Sequence, residues 1–237
     1  MTKKPTVILP GYLAGAEDYV SLKAHLSSQG YPTEIVPLRV KDWFPTIGGR
    51  SMDPILQALQ STIEQVQRDW DVPQVNIVAH SAGGWITRIF LGSTPYYGKV
   101  WAGKDSVATL VSLGTPHISR EPWTLSNLAF VNDSYPGAFW PDVKYVCVAG
   151  QALQGKPFHW MDFWQGNWSW ADWIAYNSYQ LTVGIGEAWG DGITPIQAAH
   201  LEGAINITLD RVFHSPKSDG KWYGSPDVVA SWSAYLA

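Results

Sequence analysis

The sequence predicts an α/β fold, a mostly parallel central sheet with helices on both faces, and three observations carry that expectation. Short apolar, β-branched runs alternate with longer amphipathic stretches, the rhythm of βαβ units. Polar and glycine-rich punctuation falls just after several of the apolar runs, where the strands of a parallel sheet would end on a common edge. The 237 residues, 46% hydrophobic and 15% charged, suit one globular domain with insertions and lie outside the disordered regime.

Taken in order, residues 6–10 read as the first strand and 17–29 as the first helix. Residues 33–40 and 52–70 form the second pair, and 74–80 and 83–91 the third. The second helix has the clearest pattern. Ile55, Leu56, Leu59, Ile63, Val66 and Trp70 recur at helical spacing, and Asp53-Pro54 offers an N-cap followed by proline at the first helical position. Buried strands are expected at 107–113, 144–149 and 204–209, with a closing helix over 226–236. Two stretches, about 117–142 and 152–190, break the rhythm and are rich in Trp, Pro, Gly and Asn. Segments of that length are seldom structureless inside a compact domain, so both are read as insertions over one edge of a single domain spanning 1–237.

The composition excludes several classes. A net charge of −4, without a cluster of Lys and Arg interleaved with aromatics, gives no basic field for nucleic acid. The one cysteine, Cys147, cannot form an internal disulfide and sits in an apolar run where a buried, inert thiol is expected. The segment MTKKPTVILPGY reaches proline and glycine too soon for a secretory h-region. No other stretch has the apolar length of a membrane span. A soluble, cytoplasmic protein is expected, with a peripheral membrane contact left open. The Asn132, Asn167 and Asn206 glycosylation patterns are then chance matches. No metal or organic cofactor is expected, because the histidines lack ligand spacing.

The chemistry concentrates at the punctuation. Val78-Ala-His-Ser-Ala-Gly-Gly84 ends a strand on Ser81 among very small neighbours. A sharp strand-to-helix elbow that exposes a serine Oγ needs that smallness, since larger side chains two positions either side would strike the strand and the helix. Ala82, the first residue after it, has an N–H free for a developing oxyanion. The rival reading is a plain Ser/Gly turn. Six histidines compete to serve Ser81. His80 is adjacent and points to the other side of the strand. His25 lies in the first helix and His159 in the aromatic insertion. His117 precedes the acid, the wrong chain order, and His200 precedes the last strand. His214 follows the last strand, where a loop can fold back to Ser81. Asp191, between Gly190 and Gly192, is the candidate acid against a plain Asp-Gly turn, with Asp142, Asp162 and Asp172 as rivals. The Tyr12 N–H, after Pro10-Gly11, is the second oxyanion candidate, and its side chain is free to line an acyl pocket.

These residues carry a family resemblance. I-L-P-G-Y, A-H-S-A-G-G-W, S-L-G-T-P-H, G-D-G-I-T-P and the late F-H resemble the α/β-hydrolase superfamily, specifically its lipase-like branch, over roughly residues 5–215. L-P-G with H-S-A-G-G-W is also similar to lipase-like hydrolases of plastids and cyanobacteria. The resemblance implies Ser81 as nucleophile, Asp191 as orienting acid and His214 as base. Ala79 departs from the usual glycine, and Pro10 from the histidine many members carry. The expected function is hydrolysis of carboxylic esters with an apolar acyl part, on a small-molecule or lipid substrate. The rivals are a thioesterase or amidase with the same triad, and a catalytically silent protein that binds a lipid or partner. Oligomeric state is not readable from the sequence. Trp160, Trp164 and Trp168 repeat every four residues, although Gly166-Asn167 argues against an unbroken helix. That stripe reads either as a cap over the acyl site or as core packed onto the sheet.

Overall fold

A computed structural model describes residues 3–164 and 168–237, the side chains of Asp162 and Phe163 excepted. Its elements in chain order are β1 (Thr6–Leu9), α1 (Val20–Ser28), β2 (Thr33–Ile35), α2 (Asp53–Trp70), β3 (Val75–His80), α3 (Ala82–Leu91), β4 (Val107–Leu113), α4 (Leu125–Ser134) and β5 (Lys144–Gln151). There follow β6 (Leu153–Gln154), α5 (Trp160–Trp164), α6 (Trp170–Val183), β7 (Trp189–Gly190), α7 (Ile196–Ala199), β8 (Ile205–Asp210) and α8 (Pro226–Trp232). Six strands form one sheet in the order β2-β1-β3-β4-β5-β8, and every pairing in it is parallel. The chain runs outward from β1 to β2, then returns to β3 on the other side of β1. That reversal opens a crevice beyond the carboxyl ends of β1 and β3, where such sheets bind ligands.

Two apolar layers cover the sheet. One packs Ile55, Leu56, Leu59, Ile63 and Val66 of α2 with Ile86 and Ile89 of α3 against Val7, Ile77 and Leu110. The other packs Leu22 and Leu26 of α1 with Val228, Val229 and Trp232 of α8 against Ile8, Val78 and Val146. Strands β3 to β5 are buried on both faces, which is why they read as continuous apolar runs.

The structure departs from the sequence reading in several places. The second strand stops at Ile35, because Pro37 has no N–H to offer a ladder, and residues Val40–Thr46 coil into a 3-10 helix instead. The cap of α2 is Met52, and Asp53 already lies inside the first turn with its N–H on Ser51 Oγ. Trp70, the last of the residues at helical spacing, closes α2 and, unlike the others, is half exposed. Both insertions carry elements of their own: α4 in the first, and β6, α5, α6 and β7 in the second. Trp160 and Trp164 share α5 and remain 63% and 68% exposed, so this part of the stripe is not core. Gly166 and Asn167, expected to interrupt a helix, lie outside the described residues. Among the described residues no helix is long and apolar enough to cross a membrane.

Candidate active site

Ser81 stands between β3 and α3 at φ 52° and ψ −128°, a region that L-residues avoid and that a sharp elbow imposes. The surroundings hold it there. Ser81 donates its N–H to Leu113 O at 2.9 Å, and its carbonyl accepts Thr115 Oγ1 at 2.7 Å, so the elbow is stitched to the end of β4. The small neighbours have the steric purpose that the sequence suggests. A Cβ on Gly83 would come within 3.1 Å of Leu9 O, and one on Gly84 would overlap the Thr115 side chain. The Ser81 hydroxyl makes no hydrogen bond among the described residues and faces the clefts described below.

His214 and Asp191 meet although 23 positions separate them. The tight turn after β7 buries the Asp191 carboxylate, whose Oδ1 accepts the N–H groups of Ile193 and Thr194 at 2.9 and 2.6 Å. Its Oδ2 accepts His214 Nδ1–H at 2.7 Å and the Tyr223 hydroxyl at 2.7 Å. The backbone repeats the pairing, with His214 N–H on Asp191 O at 3.0 Å. Burial alone would raise the Asp191 pKa, but the electrostatic interaction with His214 and the hydrogen bonds from His214, Thr194 and Tyr223 outweigh it and hold the carboxyl below its usual range. With Nδ1 donating to Asp191, Nε2 is the ring nitrogen of His214 left without a protein partner among the described residues, and His214 lines the same cleft as Ser81.

Sequence reasoning did not find Tyr223. It donates to Asp191 and accepts the Gly150 N–H at 2.8 Å. The available signal was indirect. Gly114 and Gly150 end the neighbouring strands β4 and β5, and a Cβ on either would strike Asp191 and Tyr223. Two glycines at adjacent strand ends mark a close approach.

His80 makes no bond to Ser81 among the described residues, but it touches His214. Its Nε2 must donate to the His214 carbonyl at 3.0 Å, so its Nδ1 accepts the Tyr19 hydroxyl at 2.7 Å, and Tyr19 in turn accepts the Gly11 N–H at 2.9 Å. One buried chain thus links the loop after β1, the strand before Ser81 and the loop of His214. Burial, with the neighbouring His214, pushes the His80 pKa down to about 3, so it stays neutral. The N–H groups of Tyr12 and Ala82 have no acceptor among the described residues, and both residues flank Ser81 in the same cleft.

The other candidates are elsewhere. His25 and His200 bond to Gln29 and Thr208, and His159 is exposed. His117 is buried with Ser112 and Cys147 at 3.2 and 3.4 Å, and burial raises the Cys147 thiol pKa to about 11, which leaves it a poor nucleophile. Asp142 is exposed, Asp172 pairs with Lys156, and the Asp162 side chain lies outside the described residues. Among the described residues no cluster suits a metal ion.

Two clefts meet at Ser81 and His214. The first, about 310 Å³, is walled by Met52, Trp85, Trp123 and Ile193, with Glu121 and three threonines among them. Burial raises the pKa of Glu121. The second, about 200 Å³, lies between Leu13, Asp18 and Tyr19 on one side and Ser215, Pro216 and Lys217 on the other.

No family model and no curated protein sequence matches the chain. Solved structures do. The product of the gene lin2722 from Listeria innocua is 13% identical over 99% of this chain and 93% of its own, with a TM-score of 0.50. Aspergillus fumigatus lipase B is 14% identical over 62% of this chain, with a TM-score of 0.42, and the pyrethroid hydrolase PytH 15% identical over 50%, with a TM-score of 0.35. This chain spans 37% of the length of the lipase and 42% of that of the pyrethroid hydrolase.

Proposed function

We propose that this chain, which has the α/β-hydrolase fold, is a serine carboxylic-ester hydrolase for esters with an apolar acyl part, working as one catalytic domain. The observation that carries the reading is a serine held at a strained strand-to-helix elbow in a cleft with a histidine whose far nitrogen is fixed at 2.7 Å by a buried carboxylate. Ser81 Oγ attacks the ester carbonyl carbon while His214 Nε2 takes its proton. That transfer needs Oγ and Nε2 within hydrogen-bond reach, a contact that in such enzymes commonly tightens only in the substrate complex. Asp191 keeps the imidazole in the required tautomer and offsets its positive charge, and Tyr223 holds Asp191. The Tyr12 and Ala82 N–H groups receive the negative charge that develops on the carbonyl oxygen. The ester C–O bond then breaks, the alcohol leaves with the proton from His214, and water resolves the acyl-enzyme by the same route in reverse.

The larger cleft, with Met52, Trp85, Trp123 and Ile193 on its walls, suits an apolar acyl chain. The exposed tryptophans of α5 and α6 favour a lipid ester presented at a surface, since tryptophan is at home at membrane interfaces. The same triad would serve a thioester or amide, and a panel of matched esters, thioesters and amides ranks the three. Fluorophosphonate labelling tests the class. An adduct on Ser81 by peptide mass analysis, absent from Ser81→Ala, is expected. An unlabelled Ser81 in a folded protein would favour the catalytically silent alternative.

A further inference from the structure

Resting on the hydrolase reading, we infer that the smaller cleft is the alcohol-side subsite and that its Asp18–Lys217 pair selects a neutral, hydroxyl-rich alcohol such as a glyceryl or glycosyl group. The chemistry assigns the sides. The leaving oxygen must receive its proton from His214, so the alcohol exits along the wall that the His214 loop builds. That wall, Ser215, Pro216 and Lys217, belongs to the smaller cleft, whereas beyond His214 itself the larger one is lined by Met52, α3, the first insertion, Thr182 and the turn after Asp191, with none of these three residues.

The polar groups of this smaller cleft decide what fits. Tyr19 and His80 line it, but the Tyr19 hydroxyl and both His80 ring nitrogens are engaged within the protein, so they offer a ligand little. Asp18 and Lys217 face each other across it, with Nζ 2.9 Å from Oδ1. The ammonium retains two N–H groups, and Asp18 Oδ2 holds only a long contact of 3.4 Å from the Gly15 N–H. The pair is therefore a donor and an acceptor side by side with no net charge. A hydroxyl both donates and accepts, so a polyol can bridge the two without separating them. A phosphate-bearing alcohol could use only the two spare N–H groups of Lys217 and would set its own charge beside the Asp18 carboxylate, whose side chain is 10% exposed and cannot move out to water. A quaternary ammonium would displace Lys217 itself.

Partitioning of the acyl-enzyme tests this without knowledge of the natural ester. The enzyme is acylated with p-nitrophenyl octanoate, and the acyl group is intercepted by 1-propanol, glycerol, glycerol 3-phosphate or choline at equal concentration. By microscopic reversibility the alcohol that this cleft binds best is the best acceptor. Glyceryl ester is expected to form in preference to the other three, and the glyceryl-to-propyl product ratio is expected to fall roughly tenfold in both Asp18→Asn and Lys217→Met, the size of a lost hydrogen bond to a charged group. Because a ratio is read, a partly misfolded variant does not imitate the result. Preference for propanol, glycerol 3-phosphate or choline, or a ratio unchanged by both substitutions, overturns the inference while the hydrolase reading stands. No nitrophenol release together with no fluorophosphonate adduct on Ser81 overturns both.

Discussion

The sheet edge around Asp191 and the aromatic cap around α5 solve opposite problems. At the edge, polar groups are buried and matched. Asp191, Tyr223, His214, His80 and Tyr19 form a continuous set of bonds of 2.6 to 3.0 Å that ends on backbone groups of β5, of the loop after β1 and of the turn after β7. In the cap, apolar groups are left in water. Trp160, Trp164 and Trp170 are each more than 60% exposed, and neighbouring rings meet edge to face, as Trp160 does with Trp164 at 5.6 Å. Phe158, Trp168, Trp170 and Trp173 line an open groove of about 440 Å³. The edge is over-determined, because moving one group orphans its partners. The cap leaves apolar surface exposed, the kind of patch that interaction surfaces and ligand grooves share.

The largest test of this contrast falls on the edge. Asp191→Asn is expected to lower kcat for a short chromogenic ester by about 10⁴-fold, because the amide favours the wrong imidazole tautomer. Asp172→Asn, in the cap, is expected to keep most of the activity. Near-normal turnover in Asp191→Asn would remove the edge from the chemistry.

A second test exploits the neutral histidines packed inside the sheet layers. The pKa of His80 is pushed down to about 3 and that of His117 well below its ordinary value, in both cases first by burial. The unfolded chain takes up these protons near pH 6.5 and the folded chain does not, so stability falls as the pH drops below that value. His80 is expected to cost about 1.6 kcal/mol between pH 6.5 and 5, and His117 adds a loss of the same sign. Urea midpoints measured at both pH values, with His80→Gln and His117→Gln each removing its share of the difference, check this. Asp191 adds to the same trend at lower pH. Its depressed pKa stabilises the fold above the ordinary carboxylate range, and that contribution is lost as the pH falls through the folded value.

A smaller effect is expected at Tyr223. Tyr223→Phe removes one of four bonds to the Asp191 carboxylate and leaves the Gly150 N–H without an acceptor. A loss of about 1–3 kcal/mol in stability by denaturant titration is expected, because a buried group is orphaned. The Asp191–His214 bond remains, so kcat should fall far less than in Asp191→Asn.

The two regions were also unequally legible. The strand rhythm, the elbow and the turn at Asp191 could be read because backbone geometry demands particular residues there: small ones beside Ser81, glycine at the tight turn. Tyr223 and the bonds of His80 could not, because they depend on which strand ends become neighbours, and W-Y-G carries no local signature of that. Strand alternation turns His80 away from Ser81, yet alternation is silent about what the far side of the strand touches. Pro37 was a breaker in plain sight within the run taken as the second strand. In the cap the four-residue tryptophan spacing placed Trp160 and Trp164 on one helix, but Trp168 falls beyond it, and periodicity gives only a face and not whether that face meets protein or water.

That question sets the finest test. In a double variant, Trp160→Ser with Trp164→Ser, the two rings of α5 that are 63% and 68% exposed are removed together. The fold should therefore stay within about 0.5 kcal/mol of the parent, as for surface substitutions in general. Turnover of a short, water-soluble ester should be unchanged, since neither residue lines the clefts at Ser81. If the cap meets a lipid surface, activity on the same acyl ester dispersed in phosphatidylcholine vesicles should fall severalfold, together with vesicle co-sedimentation. Equal loss on both substrates would mean that the rings support the clefts from behind, and the cap would then belong with the edge as part of one packed unit. Loss on neither would leave the exposed aromatics facing something other than a bilayer.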